Sequence, residues 1–278
     1  MGHPFRGLAL HTWTLDTTPL ETTLDAAKRG GFDAVELRRV DFRRGYERGL
    51  SNAQVLDTVT AAGLPVAALG PEYGWLFARG EESARLFSVL RETCQNAVAL
   101  DCDLLMSALG PGDGSIEDAV VSVRKAGELA GEFGLRLALE FQFQHPIVSR
   151  LEILRDIIAR AGCRNVGLLL DAYHLQRAGR SGRGFEEVPP QEIFYVQYSD
   201  VPDAPPLGTP PTDRLPPGKG VVRWTELFRL LAEKSYTGYL SYEAPNPAQW
   251  ERAPHEVATE GVAAMRARLT QTFERSVA

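Results

Sequence analysis

Eight short apolar runs, each followed by an amphipathic stretch, set the narrowest limit on how this chain can fold. They cover residues 7–12, 34–38, 65–69, 104–108, 135–141, 166–171, 193–198 and 239–243. Continuous rather than alternating hydrophobicity suits parallel strands whose two faces are both covered. The segments between them carry helix punctuation. Thr18 and Pro19 place a capping residue before a proline at the first helical position, and Gly30-Gly31 closes that helix. Ser51 with Gln54, and Ser149 with Glu152, have capping-box spacing. Long amphipathic stretches at 81–100 and 115–133, and a last one from about Pro254, fit outer helices. The sixth repeat is irregular, with room for only a short helix or a loop between Gly179 and Pro190. No Gly-x-Gly-x-x-Gly turn follows the first run, so the alternation predicts a closed (β/α)8 TIM barrel of the α/β class rather than an open nucleotide-binding sheet. Residues 1–278 are read as a single TIM-barrel domain.

In such a barrel the strand ends share one rim, and active sites lie there. Runs five to eight end at Glu140, Asp171, Gln197 and Glu243. Carboxylates at the end of hydrophobic strands need a partner. No arginine or lysine stands at a matching strand end, which weighs against a simple salt-bridge cluster. Three carboxylates and an amide oxygen form an all-oxygen set, predicting one divalent metal ion, Mn2+ or Mg2+ ahead of Zn2+ or Co2+. His174, three residues beyond Asp171, is expected to face the same rim, as a fifth ligand or as an acid/base titrating near working pH.

The earlier strands offer His11, Glu36 and Ser107, with Glu72 just beyond the third. His11 is either a satisfied strand-end histidine or a substrate contact. Glu36 either pairs with Arg38 or Arg39 or meets substrate. Trp13, Tyr73 and Trp75 near strand ends either stack on a sugar ring or close the barrel mouth. After the seventh run, residues 200–220 include seven prolines and read as a semi-rigid loop over the site. Its Arg214 and Lys219 either bind a substrate oxygen, carboxylate or phosphate, or stand as solvated loop charge.

Several function classes fall away. A net charge of −6 with interleaved acids argues against a nucleic-acid face. No apolar stretch approaches the ~20 residues of a membrane span, and no N-terminal signal is seen. Cys94, Cys102 and Cys163 lack metal-ligand spacing and read as buried reduced thiols. A cytoplasmic enzyme is the expectation.

Five motifs carry a resemblance: Leu-Glu at 139–140, Leu-Asp-Ala-Tyr-His at 170–174, Val-Gln-Tyr-Ser-Asp at 196–200, Arg-Leu-Pro-Pro-Gly-Lys-Gly at 214–220 and Tyr-Glu at 242–243. From Leu8 to about Leu269 the chain resembles the xylose-isomerase-like barrels of the sugar phosphate isomerase/epimerase family. That group includes ketose 3-epimerases, inosose isomerases and dehydratases, hydroxypyruvate isomerases and dehydroshikimate dehydratases. The resemblance implies that Glu140, Asp171, Gln197 and Glu243 hold the metal, and that His174 and Arg214 contact substrate. It further implies that Glu140 and Glu243 act as base and acid on opposite faces of the substrate. The implied activity is a metal-dependent isomerase or epimerase that abstracts a proton next to a carbonyl through an enediolate. The alternative is a metal-dependent dehydratase of the dehydroshikimate or inosose type, with His174 removing the α-proton. Epimerase members usually place histidine where Gln197 stands, and glutamine there is more like the dehydratase branch. Substrates would be a keto-sugar, an inosose or a keto acid, and barrels of this type often pair as homodimers. An abasic-site endonuclease on the same barrel would need several metals, many histidines and a basic face. Five histidines and an acidic balance speak against it.

Overall fold

The computed structural model describes residues 3–206, 208 and 210–274. Eight parallel strands close into a barrel in chain order. They are β1 (Gly7–His11), β2 (Ala34–Arg38), β3 (Val66–Gly70), β4 (Leu104–Ser107), β5 (Arg136–Glu140), β6 (Val166–Asp171), β7 (Ile193–Tyr198) and β8 (Tyr239–Tyr242). Each lies within a residue or two of an apolar run in the sequence. All five residues of β1, β2 and β3 are buried, as continuous hydrophobicity requires of strands covered on both faces. The helices are α1 (Leu20–Gly30), α2 (Arg39–Glu47), α3 (Asn52–Ala62), α4 (Gly80–Ala99), α5 (Ile116–Glu132), α6 (Leu151–Ala161), α7 (Ala172–Arg177), α8 (Trp224–Glu233), α9 (Pro247–Trp250) and α10 (Pro254–Phe273).

By packing, the chain divides into two compact units, one of residues 1–36, 62–64 and 170–278 and the other of 37–61 and 65–169. In the first unit β1 pairs with both β2 and β8, and β7 with β8. The register sets His11 beside Glu36 and Gln197 beside Ser241. Helix α1 lies against α10 at Gly30, where a side-chain Cβ would come within 2.9 Å of the Ala258 Cβ. Only glycine permits that approach. Phe5 gathers Phe228, Tyr236 and Phe273 around it, with ring centroids 6.0 to 6.2 Å away. In the second unit β4 pairs with β3 and β5, and β5 with β6, with Glu140 opposite Leu169. Its core is aliphatic, with Leu105, Leu137, Ala138, Leu139 and Leu169 fully buried.

Helix ends differ from expectation in instructive ways. The Ser51–Gln54 box forms, Gln54 Oε1 accepting from the Ser51 N–H at 2.8 Å. Helix α1 starts one residue later than the sequence suggests, since Pro19 keeps extended ψ of 147° and becomes the cap itself. Gly31 closes it with φ of 92°, a left-handed value that glycine takes without strain. Helix α6 is capped at Arg150 with no side-chain bond, so Ser149 is not its cap. Between Gly179 and Pro190 the structure has a loop, and the short helix expected as its alternative does not form there. Helices α2, α7 and α9 were not foreseen, the six-residue α7 preceding that loop. Among the described residues the cysteines form no disulfide, Cys94 and Cys102 being buried and Cys163 only half-buried. Among the described residues no helix is long and apolar enough to cross a membrane.

Candidate functional site

Asp171 is the last residue of β6 and the N-cap of α7, its Oδ1 accepting from the Tyr173 N–H at 2.9 Å. A strand that turns at once into a helix leaves its final carboxylate little freedom. The same turn carries His174, whose Nε2 lies 3.9 Å from Asp171 Oδ2. Glu243 follows β8 and stays in the ladder through its N–H to the Tyr198 carbonyl, at 3.1 Å.

Between these acids lies a guanidinium. Arg214 Nη1 donates to Asp171 Oδ2 at 2.7 Å, to Glu243 Oε2 at 2.8 Å and to the Glu243 carbonyl at 3.2 Å. Its Nη2 is 3.4 Å from His174 Nε2, and the group lies over the Tyr173 ring, 4.5 Å from the centroid. Arg214 is 1% exposed, so the reading of solvated loop charge is set aside. The absence of arginine or lysine at the strand ends does not exclude an ion pair here. The cation comes from the proline-rich loop, which a survey of strand ends does not reach.

Asp200 explains how the loop returns. Its backbone forms an antiparallel bridge with Leu215, at 2.7 and 3.0 Å. Its Oδ1 accepts from the N–H groups of Val201 and Val222, each at 2.9 Å. Its Oδ2 accepts from Gly218 N–H at 2.6 Å and Trp224 Nε1 at 3.0 Å. One fully buried carboxylate thereby ties both ends of the segment together. Asp213 adds a second tie, accepting from Tyr173 Oη at 2.5 Å and Arg177 Nη2 at 2.8 Å. Lys219 is exposed on this loop, unlike Arg214.

A second cluster joins β1, β2 and β7. Glu36 is fully buried and bonds to Gln197 Nε2 through Oε1 at 2.7 Å and to Tyr195 Oη through Oε2 at 3.1 Å. Burial, aided by the nearby Glu243 and opposed by hydrogen bonds from Ser241, Gln197 and Tyr195, pushes its carboxyl up to about 8. Arg39 is engaged by Glu92 at 2.7 Å and Arg38 by Asp41. His11 Nδ1 accepts from the Trp13 N–H at 3.1 Å. Its Nε2 therefore carries the proton, 3.5 Å from both Glu36 Oε1 and Glu243 Oε1.

Gln197 Oε1 is buried and has no hydrogen-bond partner among the described residues. An orphaned buried acceptor costs about 1–3 kcal/mol. A hard cation would satisfy it. The donors here, two carboxylates and an amide oxygen, fit such an ion chemically. Arg214 engages one oxygen of each acid, so the guanidinium does not consume the whole donor set.

The remaining candidates fall differently. Glu140 ends β5, buried, with Leu169 opposite it, two residues before Asp171. Glu72 is bonded to Arg85 of α4 at 2.6 Å, and Arg85 also binds Glu82. Trp75 is fully buried and donates to Ser107 Oγ at 3.0 Å, which makes it a packing residue rather than a stacking platform. His174 is corrected in one respect. Burial, reinforced by Arg214 and opposed by Asp171, lowers it to about 3, so it stays neutral at working pH. Tyr195, Ser241, Asp200 and Asp213 escaped the sequence reading. For Tyr195 a signal existed, since it stands two residues before Gln197 and strand side chains two apart share a face.

The pattern that defines the xylose isomerase-like TIM barrel family matches residues 24–268. The chain belongs to that family. Among its relatives, an inosose isomerase of Halalkalibacterium halodurans is 23% identical over 254 residues, covering 87% of this chain and 89% of that one. A 3-dehydroshikimate dehydratase of Pseudomonas aeruginosa is 26% identical over 244 residues, covering 84% of this chain but 35% of that protein. Solved structures share the fold. The IOLI protein, solved with a binding zinc atom, superposes with a TM-score of 0.82 at 20% identity, covering 96% of this chain and 99% of that one. The D-allulose 3-epimerase of Methylomonas sp. gives 0.75 at 18% identity, over 96% of this chain and 100% of that one.

Proposed function

We propose that this protein is a metal-dependent isomerase or epimerase acting on a small polyhydroxylated ketone by proton abstraction next to the carbonyl. The observation that carries the reading is the buried Gln197 Oε1, without a hydrogen-bond partner among the described residues, in the same unit as the carboxylates of Asp171 and Glu243. Glu140, at the tip of β5, would complete a set of four ligands. Glu140, Asp171 and His174 are all metal-ligating side chains and all are buried. Glu140, Asp171, Gln197 and Glu243 would hold a divalent cation, which would supply Lewis-acid polarisation of the substrate carbonyl. Zn2+ stands beside Mn2+ and Mg2+ as a candidate, given the zinc of the IOLI protein.

The chain's own groups divide the remaining work. Glu243 takes or returns the substrate proton, with the His11 Nε2–H 3.5 Å from its Oε1 to stabilise the ionised form. Glu140 does the same on the opposite face, which inverts the carbon between them. Arg214 faces the charge that develops on the enediolate oxygens, a preorganised electrostatic contribution. His174, neutral, hydrogen-bonds a substrate oxygen. Glu72 and Lys219 have weaker support as substrate contacts, one being engaged by Arg85 and the other exposed.

A dehydratase is the second reading, favoured by Gln197 and by the likeness to the P. aeruginosa dehydratase. In it, the same enediolate expels a β-hydroxyl, which takes up the abstracted proton and leaves as water. One assay separates the two. Protein loaded with Mn2+ or Zn2+ is incubated in D2O with inososes, ketohexoses and 3-dehydroshikimate, and followed by NMR and ultraviolet absorbance. Deuterium at the carbon next to the carbonyl, without an ultraviolet-absorbing product, is the expected result. Glu243→Gln should slow that exchange by about 10²–10⁴. An absorbing enone or aromatic product would install the dehydratase, and no exchange or elimination with any substrate would sink both.

A further inference from the structure

Glu36 was a candidate substrate contact, but its surroundings point elsewhere. It is fully buried, and both of its oxygens are engaged, Oε1 by Gln197 Nε2 at 2.7 Å and Oε2 by Tyr195 Oη at 3.1 Å. Full burial and a bond at each oxygen tie this carboxylate to its protein neighbours. It is well placed to govern its neighbour. The terminal amide of a glutamine has two faces of nearly equal size, and its last torsion is broad and roughly two-fold. Nothing in the shape of the side chain decides whether oxygen or nitrogen faces a ligand. Glu36 decides it. Against an ionised Glu36, turning the amide over would press Gln197 Oε1 onto Glu36 Oε1, two acceptors at hydrogen-bond distance, and lose the bond to Nε2.

We propose that Glu36 is a positioning residue that holds the Gln197 amide with its oxygen toward the cation site. The inference rests on the reading of Gln197 as a ligand. His11 stands beside this pair. Its Nδ1 is committed to the Trp13 N–H at 3.1 Å, which leaves Nε2–H 3.5 Å from one oxygen each of Glu36 and Glu243. The strand register makes the arrangement local, since His11 and Glu36 are direct partners across β1 and β2. Tyr195 shares the Gln197 face of β7, so the second bond to Glu36 comes from the same strand. Partners that orient metal ligands in this way are worth about 10–100-fold in metal affinity.

The test is Mn2+ binding to the full chain, by calorimetry and by the loss of free-ion EPR signal, with folding checked by circular dichroism. Glu36→Leu should weaken Mn2+ binding by about 10–100-fold. Glu36→Gln keeps an acceptor oxygen but adds a donor that a turned Gln197 amide could meet, and should fall between Glu36→Leu and the wild type. In a Gln197→Ala background, Glu36→Leu should change the affinity no further, because its route of action is gone. A merely structural Glu36 would lower affinity in both backgrounds alike. If Glu36→Leu fails to fold, Glu36→Asp, which withdraws the carboxylate by one methylene, carries the same comparison. Unchanged affinity on losing Glu36, or additive losses in the double variant, overturns the assignment while leaving the cation site standing. A wild-type protein that takes up no Mn2+ or Zn2+ overturns both.

Discussion

Arg214 changes the meaning of every acid around it. Its single Nη1 touches both Asp171 and Glu243, and all three groups are buried. Removing one partner of a buried ion pair leaves uncompensated charge, at a cost of about 3–5 kcal/mol. Arg214→Met is therefore expected to lower stability in urea by roughly that amount when no divalent ion is present. An unchanged midpoint would mean the guanidinium is not what balances the two carboxylates. At this scale the sequence is partly legible. The identity of the polar residue at each strand tip can be read directly, because a hydrophobic run that stops on Glu, Asp or Gln is rare without cause. The partners cannot. Arg214 lies 29 residues before Glu243 in a segment with no period, and only the folded loop brings them together. The loss of near-neutral titration at His174 is equally hidden, since it follows from burial that no local pattern announces.

The proline-rich segment works as an element although most of it is irregular. Prolines donate no hydrogen bond, so its order depends on the few groups that accept and donate for it. Asp200 is the chief of these, with four bonds to its carboxylate. Asp200→Ala would strand the buried amides of Val201 and Val222, at about 1–3 kcal/mol each. Amide hydrogen exchange should quicken at Val201, Gly218 and Val222, with β1 to β8 still protected. Exchange that stays slow would show that the loop is held by other contacts. The strands themselves are legible almost to the residue, since continuous apolar runs have few other uses at this length. The helix starts are less so. Arg150 and Pro19 cap helices without side-chain bonds, and residues with no capping signature leave no mark in the sequence.

Across the whole molecule, two buried titrating groups give stability an opposed dependence on pH. Glu36 is raised from 4.5 to about 8, so the folded state keeps a proton that the unfolded chain has released. Its contribution is full below about 4.5 and is lost as pH rises toward 8. His174 is lowered from 6.5 to about 3, so the unfolded chain gains a proton the folded state refuses. Its contribution is full above 6.5 and is lost as pH falls toward 3. Between 4.5 and 6.5 the two slopes oppose each other, and melting temperature should be nearly flat with respect to these groups. Glu36→Gln should remove the decline between 6.5 and 8, and His174→Gln the decline below 4.5, in thermal scans across pH without added metal. A wild-type profile unaltered by either substitution would contradict this account. The closed parallel barrel is legible from eightfold alternation, and family membership agrees with it.

The placement of Arg214 on a tethered segment outside the strands divides the labour of inheritance. Acidic tips are written into strands, where almost any change disturbs the sheet. The counter-charge is written into a stretch that enters and leaves through one aspartate. Grafting residues 201–222 from a relative onto this scaffold would retune polarity at the centre while the sheet that presents the acids stays as it is.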